Sequence, residues 1–311
     1  MANKIPVGRS IGGAYSFAFG NILNNIGEIW IPLAILCVVM FFFQKPYLDA
    51  VTGMAAQDPQ AAMRILPLFF GIFVAMTVLL TAIHAGLTKE ALGLRRGSAF
   101  LQFPFGAGTW RLLGANLLLM VVMWVIYFAA VIIGLVGGIL LAVIFGGQNG
   151  NPAVVGLIVG VCALIFVGAL IYILARFSFL LAPVTIAENR ISLIRAWQLT
   201  RGSFWRIFVI LLVLLIPVVI LEMIVFVLFI GRDLFAGFHP GMTPQEIVQQ
   251  QQQQMVVVRQ VMERMSGYWF VTYPLSFLVT AVIYGMFAGA SAAAYKAVVP
   301  SDGTPEAEAM S

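Results

Sequence analysis

Charge is what this chain has least of. Of 311 residues, 9% are charged and 62% are apolar. Soluble domains carry about a quarter charged and roughly half apolar residues. A water-soluble fold of this length could not hide so much apolar surface, which excludes soluble enzymes, nucleic-acid-binding domains and disordered scaffolds. Cysteine is nearly missing. Cys37 and Cys162 both lie inside apolar runs and read as small buried hydrophobes, not as a disulfide or a metal pair. The two histidines, His84 and His239, stand far apart without ligand spacing, so neither metal nor cofactor is expected. Walker loop, GxSxG elbow, HExxH, CxxC and EF-hand loop are all absent from the sequence. Lack of a nucleotide site argues against a primary pump. Lack of a Ser/His/acid constellation argues against an intramembrane protease. The first 25 residues contain no compact apolar stretch followed by a small-residue cleavage site, so the first long apolar run is expected to stay as an anchor.

What is present is long apolar runs. A spanning helix needs about 20 mostly apolar residues. Six stretches qualify: about 26–43, 65–87, 112–145, 153–182, 206–230 and 268–295. They are continuous, not alternating, which excludes a β-barrel. The expected fold is an all-α polytopic membrane protein with six transmembrane helices arranged as three hairpins. Residues 1–298 form one transmembrane domain. Of the 17 Lys and Arg, 12 fall on the side that holds both termini and five on the other. That asymmetry places both termini in the cytoplasm. Trp30, Trp110, Trp197, Trp205 and Trp269 sit at the expected span ends, where indoles prefer the headgroup level.

The third and fourth runs exceed the bilayer core and must tilt, break or project. The turn 146–152, GGQNGNP, separates them. Gly134 and Gly138 precede it and Gly156 and Gly160 follow it, which predicts close backbones in an antiparallel hairpin. Gly285, Gly289 and the small residues up to Ala294 predict another tight contact on the sixth span.

Three segments look alike: 10–35, 98–117 and 192–211. Each mixes aromatic and polar residues, passes a glycine, reaches a tryptophan (Trp30, Trp110, Trp205) and enters a span. The reading is an internal repeat in which an interfacial amphipathic helix precedes each hairpin. Ordinary positive-inside flanks would look similar. On the outer side, Thr243-Pro244-Gln245-Glu246 is a capping box that predicts a helix over about 244–265, through the glutamine run 249–254. Asp58-Pro59 is a similar start. The tail 299–311 is polar and expected to be disordered.

The stretch 176–206 holds Arg176, then Pro183 and Glu188, then Ala196, Leu199, Gly202, Trp205 and Arg206. This pattern resembles the membrane domain attached to some glycerophosphodiester phosphodiesterases, and the related bacterial YciC-like inner-membrane proteins. The resemblance implies the six-span layout and a bacterial inner-membrane location. In those enzymes the activity resides in a separate soluble barrel with a His-Arg motif. This chain has no His-Arg dipeptide and no room for the barrel, so that activity is not carried over.

Glu222 lies inside an apolar run, five residues after Pro217. A carboxylate in hydrocarbon is costly and often faces a cavity or a partner. By depth, Tyr127 on the third span and Thr280 on the sixth fall nearby, with Ser276 and Thr77 beside them. Such a layer could bind a headgroup or relay a proton; equally, Glu222 could be protonated and join helices as structural glue. Arg176 sits inside the fourth span, with His84 and Asn116 at similar depth. It either binds lipid phosphate or snorkels to the interface. Arg195, Arg201 and Arg206 with Arg190, Trp197 and Trp205 form a basic set expected to contact anionic headgroups. The function expected is that of a non-enzymatic protein that binds or organises membrane lipid. The alternatives are a transporter or lipid-moving protein using Glu222, and a membrane enzyme acting on headgroups. The partners expected are membrane phospholipid and, with the oligomeric state left open, further copies of the chain, but no nucleic acid.

Overall fold

A computed structural model describes residues 4–55, 59–94, 105–145, 152–226, 260 and 269–299. The regular elements among them are eight α-helices: α1 (Val7–Gly20), α2 (Ile22–Ala55), α3 (Pro59–Leu92), α4 (Ala107–Phe145), α5 (Pro152–Ala187), α6 (Leu193–Leu199), α7 (Phe204–Phe226) and α8 (Trp269–Val298). Five helices contain stretches long and apolar enough to cross a membrane: Ile22–Phe43, Leu66–Leu92, Ala107–Gly134, Gly160–Ala187 and Leu278–Val298. A sixth is added when α6 and the first part of α7, bent by 97° at the break between them, are taken together. The chain is an all-α polytopic membrane protein. The outer helix expected over 244–265, apart from residue 260, the turn 146–151 and the tail from 300 onward lie outside the described residues.

Local chemistry explains most helix ends. α3 and α5 begin at Pro59 and Pro152, a position where the missing N–H has no intrahelical partner anyway. α3 ends at Gly93, whose φ of 76° is left-handed. Gly93 donates to the Glu90 carbonyl and Leu94 to that of Lys89, the paired bonds of a Schellman motif. α4 has 39 residues and α5 has 36, roughly 58 and 54 Å at 1.5 Å per residue. Both exceed a core of about 30 Å.

Packing concentrates in one half of the bundle. The largest cluster joins α1, α5, α7 and α8 through Ala14, Ala18, Leu180, Val184, Ile207, Ile210, Met286 and Ala290. A second joins α2, α3 and α8 through Ile29, Leu33, Ile83, Leu87, Ala281 and Ala288. Two smaller clusters seat Leu112, Ala115 and Leu119 of α4 against α3 and α5. Ile5 and Val298 share the first cluster, so the two described ends of the chain lie on one side. Toward the other side, Leu118, Val125, Phe128 and Ile132 of α4 and Leu164 and Ile165 of α5 are exposed. Surfaces of this kind are solvated by lipid tails.

The glycines separate into two kinds. On α8, Gly289 is so close to α1 that a Cβ would stand 2.7 Å from the Gly13 carbonyl oxygen and 2.8 Å from the Phe17 Cβ. Gly13 in turn faces the Ala293 Cβ at 2.8 Å, and Gly285 faces the Ala18 Cα at 3.4 Å. Positions rise along α1 as they fall along α8, so the two helices run antiparallel with backbones nearly touching. The tight contact expected at Gly285 and Gly289 is present. The one expected in the α4–α5 hairpin is not found at Gly134 or Gly160, where a Cβ would meet nothing within 4 Å. α4 and α5 do pack together, but through larger side chains such as Tyr127 and Phe166, whose rings stand 6.5 Å apart. The side-chain surroundings of Gly138 and Gly156 lie outside the described set.

Candidate functional site

The motif 176–206 folds into an elbow at the end of α5. Asn189 takes a left-handed φ of 52°, a conformation Asn tolerates better than most residues. Ser192 then caps α6 by accepting from the Arg195 backbone N–H at 3.2 Å. After α6, Gly202 is also left-handed at 75°, which turns the chain into α7. Gly202→Ala is expected to destabilise the protein by about 1 kcal/mol, because only glycine enters this region without steric strain. A thermal unfolding midpoint unchanged from wild type would contradict this.

Arg176 holds the elbow against α5. It is 5% exposed. Its Nη1 donates to the Tyr172 hydroxyl at 2.9 Å and its Nη2 to the Trp197 carbonyl at 2.9 Å. The guanidinium carbon lies 3.5 Å from the centroid of the Trp197 ring. Phe177 packs on the same indole at 4.8 Å, and Tyr172 meets Phe204 at 4.6 Å. A cation stripped of water is held here by π faces and a carbonyl. The Thr200 hydroxyl lies within 3.1 Å of the carbonyls of Arg176, Ala196 and Trp197 and donates to one of them at a time. The structure therefore places Arg176 and Trp197 against each other, with the guanidinium buried between α5 and α6. His84 and Asn116 do not join them. His84 faces the Tyr284 ring at 6.2 Å, and Asn116 donates to the Thr81 hydroxyl at 3.2 Å.

Glu188 ties the elbow to the rest of the bundle. Its Oε2 accepts from Arg190 at 2.6 and 2.9 Å. Its Oε1 accepts from Arg195 at 3.3 Å and from the Tyr295 hydroxyl of α8 at 3.4 Å. Next to it, the Asn189 Oδ1 accepts from Arg111 of α4 at 2.7 Å. The Ile191 Cδ1 would stand 3.1 Å from a Cβ at Gly114, so the turn also seats on α4 sterically. Arg206 donates from Nη1 to the Ile5 carbonyl at 3.1 Å. Arg201, Trp205 and Arg206 remain exposed, Trp205 at 74%. Of the basic set, the elbow presents these outward, while Arg195 is half-buried beside Glu188.

Of the expected intramembrane layer, Tyr127 is the member whose surroundings are described most fully. That residue is 44% exposed on α4, which packs on α3 and α5. Its ring stands near Trp124, Phe128 and Phe166. With Met120, Met123, Trp124 and Leu170 it lines an open groove of about 380 Å³. Thr280 is half-buried on α8, and the Thr77 hydroxyl donates to its own helix at Phe73. The Glu222 side chain and Ser276 lie outside the described set. Matching depth counts place residues at one level; they do not place them on facing sides of their helices.

Sequence reasoning passed over Asn189 and Tyr295, and it missed two buried polar residues on α2. Glu28 is 6% exposed, and Asn25 is fully buried with its Nδ2 donating to the Phe17 carbonyl at 3.1 Å. Their signal was available, since Glu28 falls inside the first apolar run and Asn25 directly precedes it. Among the described residues no cluster of His, Cys, Asp or Glu could hold a metal.

Comparison with known proteins adds no family: no family model, curated protein or solved structure matches this chain. The geometry alone defines the class, a multi-pass helical membrane protein with a rigidly tied basic elbow.

Proposed function

We propose that this chain is a non-enzymatic, multi-pass protein of the bacterial inner membrane, with both termini cytoplasmic, that binds or organises phospholipid through the α6–α7 elbow. The observation that carries this reading is the 97° bend between α6 and α7, with Arg201, Trp205 and Arg206 exposed at its corner. A short helix crossing the direction of the spans lies where headgroups are, and cations there attract anionic lipid at about 1 kcal/mol each. The Arg176 and Glu188 contacts support it, because they hold the corner in one geometry and spare the lipid the work of ordering it. The inner-membrane assignment and the likeness to YciC-like proteins rest on the 176–206 motif, and the cytoplasmic side on the 12 to five distribution of Lys and Arg. The threefold repeat belongs to the same reading through α6 ahead of α7, whereas α1, ahead of α2, runs antiparallel along the α8 span and does not cross it. Native mass spectrometry from gentle detergent tests the proposal. Wild-type protein is expected to retain anionic phospholipid. The triple variant Arg195→Ala/Arg201→Ala/Arg206→Ala is expected to lose most of it. Equal lipid on both would refute the elbow as the binding element.

A further inference from the structure

We infer that the elbow and the amino-terminal segment together bind a phospholipid headgroup that carries two phosphates. This rests on the lipid-binding reading above and names the ligand class for the same corner. Two pairs of cations with equal sequence spacing lie on these two segments: Lys4 with Arg9, and Arg201 with Arg206. All four are exposed. The segments that carry them are joined, although about 200 residues of chain separate them. The Arg206 guanidinium donates to the Ile5 carbonyl at 3.1 Å. Ile5 is fully buried in the cluster that contains Ile207 and Ile210, with Val7 and Phe204 packed against it.

The sequence around each pair is one-signed. Residues 1–27 and 191–221 contain no Asp or Glu. Among the carboxylates that flank these stretches, Glu188 is engaged by Arg190 and Arg195, and Glu28 is buried on α2. Packing thus joins the segment of Lys4 and Arg9 to that of Arg201 and Arg206, and neither stretch contains a carboxylate of its own. Their mutual repulsion is relieved by an anion that reaches both. A single phosphodiester can satisfy one pair. Two phosphodiesters tethered in one headgroup can satisfy both without the entropy of ordering a second lipid, which is the gain expected of a bivalent ligand. Trp205 stands between Arg201 and Arg206 in the chain and is exposed at headgroup level, where an indole anchors well.

The test uses the full-length protein in mild detergent with phosphatidylglycerol, which has one phosphate, and diphosphatidylglycerol, which has two, supplied at equal total phosphate. Native mass spectrometry reads which is retained. Wild type is expected to favour the two-phosphate lipid by roughly tenfold or more, as two added cations would give. Lys4→Gln/Arg9→Gln is expected to bring that preference to near parity while one-phosphate binding at the elbow persists. Lys4→Arg/Arg9→Lys is expected to restore it, which separates charge from folding. Equal retention of both lipids by wild type, or an unchanged preference in the Gln variant, overturns the inference and leaves the lipid-binding reading standing. Retention of neither lipid by wild type sinks both. Displacement of the lipid by millimolar inorganic pyrophosphate would mark a soluble anion as the ligand and also overturn the inference.

Discussion

Gly289→Leu is expected to prevent α1 from docking on α8 and to leave little monodisperse protein after extraction. A Cβ at this position already stands 2.7 Å from the Gly13 carbonyl oxygen, 2.8 Å from the Phe17 Cβ and 3.1 Å from the Ala14 Cα. Two of the three are backbone atoms, which no rotamer change can move aside. Gly289→Ala should therefore destabilise by about 1–3 kcal/mol, the usual range for overpacking, and leucine by more. The damage would spread, because Ala14 and Ala18 belong to the same cluster as Leu180, Ile207 and Met286. Gly134→Ala and Gly160→Ala are the matched controls. Each Cβ enters open space, so stability should hold or rise by up to about 1 kcal/mol from helix propensity. Size-exclusion profiles and thermal midpoints in one detergent compare all four. Gly289→Leu giving a wild-type profile would mean that α1 is not packed in this way.

Arg176→Met is expected to free α6 while the spans remain inserted. The substitution keeps an unbranched apolar stem but removes two charge-assisted hydrogen bonds and the stacking on Trp197. Hydrogen bonds to a charged group contribute about 1.5–3 kcal/mol each, and a desolvated cation–π contact about 2. Relief from burying a cation offsets part of that sum. A net loss of about 3 kcal/mol follows. Arg176→Lys should not rescue it, since an ammonium lacks the planar fork that reaches Tyr172 and Trp197 together. Limited proteolysis should nick the variant between residues 188 and 203, where wild type resists. The same measurement separates the clamp from the phosphate-binding role read for Arg176 in the sequence. If the variant lost lipid yet kept wild-type stability and protease resistance, Arg176 would be a headgroup ligand and not the elbow's clamp.

The two expectations differ in how the residues concerned could be read. Gly285 and Gly289 stand four apart on an apolar helix, a pattern that signals close packing. Gly134/Gly138 and Gly156/Gly160 show the same pattern, yet Gly134 and Gly160 face open space. Spacing states that a close approach is sterically permitted. Whether a partner helix comes to that face depends on contacts elsewhere, here α1 at positions 13–18. Arg176 illustrates the same limit. Its motif partners were visible, and Trp197 lay 21 residues on. Only the turn at Asn189 and the Ser192 cap fold the indole back over the guanidinium. The proposed layer of Glu222, Tyr127 and Thr280 shows the same limit, because a count of residues from a span end yields depth and no azimuth.

What the amino-acid order alone determined is what hydrocarbon and headgroups impose: helices, apolar runs near 26–43, 65–87, 112–145, 153–182, 206–230 and 268–295, and basic residues gathered on one side. Those are transfer free energies of individual side chains, summed over a window, and they need no knowledge of neighbours. The antiparallel seam of α1 on α8, the burial of Arg176 under Trp197 and the meeting of Ile5 with Arg206 came from tertiary structure. Each depends on which faces of distant helices turn toward one another. In lipid that choice is made by shape and hydrogen bonding between segments, because burying one apolar face instead of another changes little.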